Sequence, residues 1–255
     1  MASHAAEPNT LVSIIDVSYF YGNNHVLDQV SLNIRKGDFL AVIGPNGSGK
    51  TTLIKIMLGL LNPGQGEVKL FGKLIRDFTG WGKIGYVPQK ATHFDPFFPI
   101  SVKEVVSLGL ISNRNLAFIS KPEEEQAVKK ALCRVEMEHL IHKRIGSLSS
   151  GQQQRVFIAR AIVSDPDILI LDEPTTGVDA SMHDRFFDML NVLHKENNMT
   201  IVLITHEIGI INKHISQVAC LNQKLIYHGK HSDFCNSEAF KKMISGGHHL
   251  ISHHH

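Results

Sequence analysis

Eight consecutive residues, GPNGSGKT at 44–51, constrain this chain more than any other stretch. They match G-x-x-x-x-G-K-[ST] at every fixed position, and they stand between a run with strand character, FLAVIG, and one with helix character, TTLIKIMLGLL. Those residue types suit one task. Gly44, Gly47 and Gly49 let the main chain turn with its N–H groups inward, where a polyphosphate accepts hydrogen bonds without meeting a Cβ. Pro45, Asn46 and Ser48 fill the remaining loop positions, and Lys50 adds a point charge near the β and γ phosphates. The Thr51 hydroxyl suits Mg²⁺, Thr52 donates to a phosphate oxygen, and the helix N-terminus faces the same anion. The bland alternative is a glycine-rich turn with an accidental GKT, against which the flanking strand and helix weigh heavily.

Composition narrows the class without naming a partner. The 255 residues carry 26 basic and 24 acidic side chains, a net charge of +2, so neither a nucleic-acid-binding nor an acidic solvating chain is indicated. With 43% hydrophobic residues the chain can bury a full core as one large or two modest domains. No apolar run approaches the roughly 18 to 20 residues that cross a bilayer, and MASHAAEPNT lacks the basic start and apolar stretch of a signal peptide, so the chain is not expected to span a membrane. Cys133, Cys220 and Cys235 form no CxxC pair and read as reduced thiols.

The patterns along the chain predict an α/β fold. LVSIIDVSYFY, HVLDQVSLNI and FLAVIG are strands separated by Gly22-Asn23-Asn24 and Arg35-Lys36-Gly37, an antiparallel sheet feeding a buried strand. The helix after the glycine loop is expected to run through TTLIKIMLGLL until Asn62-Pro63-Gly64 stops it. From about Pro88 to Asp165 the sequence reads as a helical insertion, with capping-box starts at Ser101 with Glu104 and Ser120 with Glu123. ILILDEP and TIVLITH are wholly apolar runs of the kind covered on both faces, separated by a helix at about Ser181 to Glu196. There is no internal repeat, and the only biased segment is the tail GGHHLISHHH.

The second site element is the end of the strand Ile168 to Leu171, where Asp172 and Glu173 follow four apolar residues. Ligands bind at such strand ends. Beside a phosphate loop, Asp172 suits Mg²⁺ and Glu173 suits the water that attacks a γ phosphate, whereas alone the pair would read as a solvated terminus.

Leu148-Ser149-Ser150-Gly151-Gln152 lies between these elements and resembles the LSGGQ signature of the ATP-binding cassette (ABC) family. Other family elements stand in order: Tyr21 in the A-loop, Gln89 in the Q-loop, Asp179 in the D-loop and His206 after the last core strand. The resemblance spans roughly residues 11 to 240. It implies a phosphate-loop NTPase with a RecA-like core, an N-terminal antiparallel β subdomain and a helical subdomain inserted at about 90–165. The implied single ATPase domain covers 11–240, with a flexible N-terminus at 1–10 and a C-terminal segment with a His-rich tail at 241–255. ATP and Mg²⁺ are the implied cofactors. Tyr21 would stack on adenine, Gln89 would reach Mg²⁺, and His206 would contact the γ phosphate. For Tyr21 the alternative is a sheet aromatic packed inward. Ser149 and Gln152 have capping-box spacing, which leaves a helix N-terminus facing outward as an anion site. In the family that site, with Ser149 and Gly151, completes the nucleotide pocket of a second copy, and Asp179 lies at the dimer seam. Ser150 departs from the pattern by replacing the first glycine of the pair.

What such an ATPase would drive is read partly from Phe94, Phe97 and Phe98 after Gln89, either core of the helical subdomain or a groove for a membrane subunit. FPISVKEVVSLGL and the stretch from Thr205 to Phe234 look most like ATP-binding subunits of bacterial zinc and manganese importers, with zinc favoured. Iron-chelate and cobalamin importers are the nearest competitors. The expected partners are a second copy, two integral-membrane permease subunits and, indirectly, an extracytoplasmic metal-binding protein, with no nucleic acid. The place implied is the cytoplasmic face of the bacterial membrane. Of sixteen histidines, His248, His249, His253, His254 and His255 crowd the tail, where weak Zn²⁺ chelation and a tag remnant are both open readings. A DNA-repair ABC ATPase would place a long coiled coil before the signature, but only 98 residues separate Lys50 from Leu148 and no heptads are sustained. A translation-factor ABC protein would carry two cassettes in one chain, and a phosphate-loop kinase would not carry Gln89 and His206 in this order.

Overall fold

The computed structural model describes residues 9–89, 99–112, 120–174, 180–207, 214–238 and 240. Packing divides the chain into two units, the described parts of Met1–Thr79 with Val202–His255, and Gly80–Ile201. No helix among the described residues is long and apolar enough to cross a membrane.

In the first unit β1 (Thr10–Tyr21) and β2 (Asn24–Arg35) form the antiparallel pair that the alternating pattern predicts, and β4 (Gln65–Leu70) and β5 (Lys73–Leu74) complete a sheet in the order β2-β1-β4-β5. One face of this sheet is core: Val12, Ile14, Leu32, Ile34, Val68 and Leu70 are all buried. The wholly buried β3 (Phe39–Ile43) lies between β9 (Gln217–Asn222), parallel to it, and β8 (Thr200–Thr205), with β10 (Lys224–Lys230) antiparallel to β9 at the edge. A one-turn helix, α6 (His231–Phe234), ends the described core by burying Phe234.

Helix α1 (Lys50–Met57) follows the glycine loop but stops earlier than the apolar run suggests. Gly59 takes φ 67°, its N–H donates to Ile56 O at 3.0 Å, and Leu60 N–H donates to Lys55 O at 2.8 Å, so the last carbonyls are satisfied four residues before Pro63. Leu60 is consequently left exposed.

The second unit pairs β6 (Ile84–Val87) parallel to β7 (Ile168–Asp172) and carries four helices: α2 (Val102–Ser107), α3 (Lys121–Arg134), α4 (Ser150–Ile162) and α5 (Ala180–Asn197). Both capping boxes in the insertion form. The Ser101 hydroxyl at 2.6 Å and N–H at 2.7 Å donate to Glu104 Oε2, the Ser120 N–H at 2.9 Å and hydroxyl at 2.8 Å donate to Glu123 Oε2, and these bonds hold both carboxyls below their ordinary pKa. Helix α4 packs on β6 at Gly85, where a Cβ would run into the carbonyl of Ala161, so only glycine admits this approach. Residues 1–8, the loop with Phe94, Phe97 and Phe98, and the His-rich tail lie outside the described residues.

Candidate functional site

In the first unit the glycine loop leaves β3 and closes on itself. Ser48 N–H donates to Pro45 O at 3.2 Å, and Leu53 N–H to Gly49 O at 2.9 Å begins α1. Gly49 sits at φ 98°, and a Cβ there would press on Leu27 Cδ2 at 2.6 Å and Val26 O at 2.8 Å, so β2 backs the loop where an L side chain would be excluded twice over. Lys50 is 5% exposed, and its ammonium donates to Gly44 O at 2.8 Å and Pro45 O at 2.9 Å, bridging the loop's first turn. The Ser48 hydroxyl is buried and has no hydrogen-bond partner among the described residues. A buried hydroxyl of this kind costs stability unless something bonds it. It fits a loop built to hold a ligand rich in acceptor oxygens.

A residue outside the motif also holds the loop. Gln223, at φ 61° in the turn between β9 and β10, donates from its N–H to Ser48 O at 2.9 Å, and its own carbonyl accepts from Asp28 N–H at 2.9 Å. Nothing in the local pattern marks Gln223, because it is chosen by backbone alone. Tyr21 is 48% exposed at the end of β1, with Tyr19 edge-on to it at 5.0 Å between ring centroids, so the inward-packed alternative does not hold. His206 follows β8 directly and is half-buried.

In the second unit the acidic pair ends β7. Asp172 is 4% exposed, and on the neighbouring strand β6 Tyr86 stands in register with Ile170. Burial, followed by the charge of Asp172, pushes the Tyr86 phenol up to about 12, so it stays neutral at working pH. Glu173 adopts φ 46°, a left-handed conformation that costs a glutamate on the order of 1 to 3 kcal/mol and that clusters at functional sites. Its Oε2 accepts from Gln89 Nε2 at 2.5 Å. Gln89 and Glu173, 84 positions apart in sequence, are thus brought together.

The signature stands at the tip of α4 in the same unit. Ser149 is its N-cap, with Gln152 N–H donating to Ser149 Oγ at 3.3 Å and Ser149 N–H to Gln152 Oε1 at 3.1 Å. Ser149 and Ser150 are exposed and Gly151 half-buried, so the helix tip is open to solvent. Further along α4 the buried Gln154 donates to the carbonyl of Pro174, just beyond the acidic pair. Asp179 lies outside the described residues. Tyr86 was legible as a strand residue but not as a neighbour of Asp172, since alternation places side chains on faces without naming what they meet.

The first unit carries a main-chain cradle with a buried lysine, and the second carries a pair of consecutive carboxylates at the end of a strand. A family model for ABC transporters matches residues 27–176. The chain is 43% identical over 226 residues to the zinc uptake system ATP-binding protein ZurA of Listeria innocua, covering 89% of this chain and 88% of that one. It is 41% identical to the high-affinity zinc uptake system ATP-binding protein ZnuC of Bacillus subtilis, covering 84% and 91%. Among solved structures it resembles an ATP-binding cassette captured as a dimer in a post-hydrolysis state with ADP and Pi, at a TM-score of 0.73 and 30% identity, covering 86% of this chain and 98% of that one. The chain belongs to the ABC transporter family, as one of its ATP-binding and ATP-hydrolysing cassettes.

Proposed function

We propose that this cassette powers uptake of a divalent transition metal, zinc before manganese, through two separate membrane subunits, with an extracytoplasmic metal-binding protein delivering the ion. The observation that carries the reading is the 43% identity to a zinc uptake ATP-binding protein over 89% of the chain. The cassette acts on the cytoplasmic face of the membrane, as a domain of residues 11–240 with a helical insertion at about 90–165. The metal ion is cargo, and nothing in the nucleotide loop needs to touch it.

The residues divide the work as follows. Tyr21 stacks on adenine, while the main chain of Gly44 to Gly49 and the Lys50 ammonium hold the phosphates. Asp172 and Thr51 offer hard oxygen ligands of the kind Mg²⁺ takes together with phosphate and water, and Gln89 donates through Nε2 to Glu173 while its Oε1 remains a ligand atom. Held by these residues, Mg²⁺ would supply neutralisation of phosphate charge. Glu173 orients and deprotonates the attacking water, and His206 donates to the γ phosphate. Ser149, Gly151 and Gln152 present a capped helix tip to the triphosphate of a second copy, with Asp179 at the seam. ATP therefore closes a head-to-tail dimer, in-line attack cleaves it, and loss of phosphate reopens it.

The test is co-purification with the membrane subunits, reconstitution in vesicles and ATP-dependent uptake of labelled Zn²⁺ in competition with Mn²⁺. Saturable zinc uptake that manganese only partly displaces is expected. Uptake of an iron chelate or cobalamin with neither metal would overturn the proposal.

A further inference from the structure

Gln153 stands one turn into α4, directly after the capping pair, and is 5% exposed. Its Nε2 donates to two main-chain carbonyls, Ile145 O and Leu148 O, each at 3.2 Å. A flipped amide would set its oxygen against both carbonyls, so the surroundings fix the orientation. Those carbonyls bound the short 3₁₀ turn that leads into the helix, and Leu148 is the residue immediately before the Ser149 cap. The turn is held on its other side as well, because Ile145 N–H donates to Ile100 O at 3.0 Å and Val102 N–H to Lys143 O at 2.9 Å. Gln153 therefore ties the open tip of α4 to a strap that is already anchored. Stability alone would not select this side chain. Gln153 Oε1 is buried and has no hydrogen-bond partner among the described residues, a desolvation cost of the same order as the two bonds gained. An apolar side chain of the same length would avoid that cost.

The geometry points to Gln153 as a positioning residue for the signature: its amide fixes the turn from Ile145 to Leu148 and thereby the direction in which Ser149, Ser150 and Gly151 face a second copy. This rests on the proposed head-to-tail closure. Gln153 touches no nucleotide in this role. It acts through the main chain of Leu148, whose carbonyl it holds one residue before the cap. A tip already held in its docking direction loses less freedom when the second copy arrives.

The test uses the full chain carrying Glu173→Gln, so that ATP is not consumed, and reads by light scattering the ATP concentration at which half the protein is dimeric. Gln153→Met keeps the length of the side chain and removes both donors. It should raise that concentration by about tenfold, while affinity for a fluorescent ADP analogue stays within about twofold and the urea midpoint is retained. With Glu173 in place, KM for ATP should rise alongside. A tie that serves folding alone would lower the urea midpoint of Gln153→Met and leave the ATP dependence of the dimer in place, and that result overturns the inference. Should Gln153→Met not fold, Gln153→Asn, whose amide is one methylene too short to reach both carbonyls, is held to the same outcomes. Gly151→Asp separates the two layers, since an acidic residue in the first turn suits the helix but repels a triphosphate. If Gly151→Asp prevents the dimer and Gln153→Met leaves its ATP dependence unchanged, only the role of Gln153 falls. If Gly151→Asp also dimerises as before, the proposed closure through the tip falls and takes this inference with it.

Discussion

Position 150 puts a serine where the ABC signature has glycine, and it occupies the first helical residue of α4, exposed beside the cap formed by Ser149. An added hydroxymethyl at an open helix tip meets solvent rather than a packed neighbour. Ser150→Gly should therefore change ATP turnover by less than about tenfold, a barrier change of roughly 1.4 kcal/mol, in a steady-state phosphate-release assay. Complete loss of turnover would show that the hydroxyl carries chemistry. At this scale the residues of the nucleotide loop were legible because a phosphate cradle is built from contiguous main chain, so its pattern survives in sequence. Gln223 and the nearness of Tyr86 to Asp172 were not, because each is defined by a residue far along the chain: Ser48 for one, Asp172 for the other. The left-handed backbone of Glu173 was equally hidden, since no residue type announces it.

Elements whose ends are set by local bonds were read well. The Ser and Glu or Gln spacings at 101, 120 and 149 each predict a helix start, and each forms one. The hairpins β4–β5 and β9–β10 were not anticipated, because β10 alternates between exposed and half-buried positions and buries nothing that would give it an apolar face. Just beyond α4, Asp165 at φ 49° accepts from Lys130 at 2.9 Å and from Arg134, tying α3 to the end of α4. Burial alone would raise this carboxyl, but the hydrogen bonds and charges of the two cations outweigh it and the pKa is lowered. A lowered folded-state value means stability that is complete above the unfolded carboxylate range and lost as pH falls through the folded value. Melting temperature should thus drop below about pH 4, with Asp165→Asn removing this site's share of the drop. The group is more than half exposed, so that share should stay below about 1 kcal/mol. Parallel pH–melting curves for the two proteins would refute the tie.

For the whole molecule, the proposed head-to-tail closure would make one cassette by itself an incomplete enzyme. Glu173→Gln keeps the side chain's size and removes its ability to take a proton. It should retain ATP binding, lower hydrolysis by about 100-fold or more, and run as a dimer in light scattering with ATP but not with ADP. Wild-type turnover in this variant would remove Glu173 from its role, and a monomer with ATP would remove the head-to-tail closure. The amide of Gln154 gives that closure a sharper meaning. Because it grips Pro174 from within two turns of the helix tip proposed to meet the neighbouring copy, docking at that tip would bear directly on the backbone behind Glu173. On the proposed closure, a solitary cassette would idle with its base unset, and ATP would be spared whenever no companion had arrived.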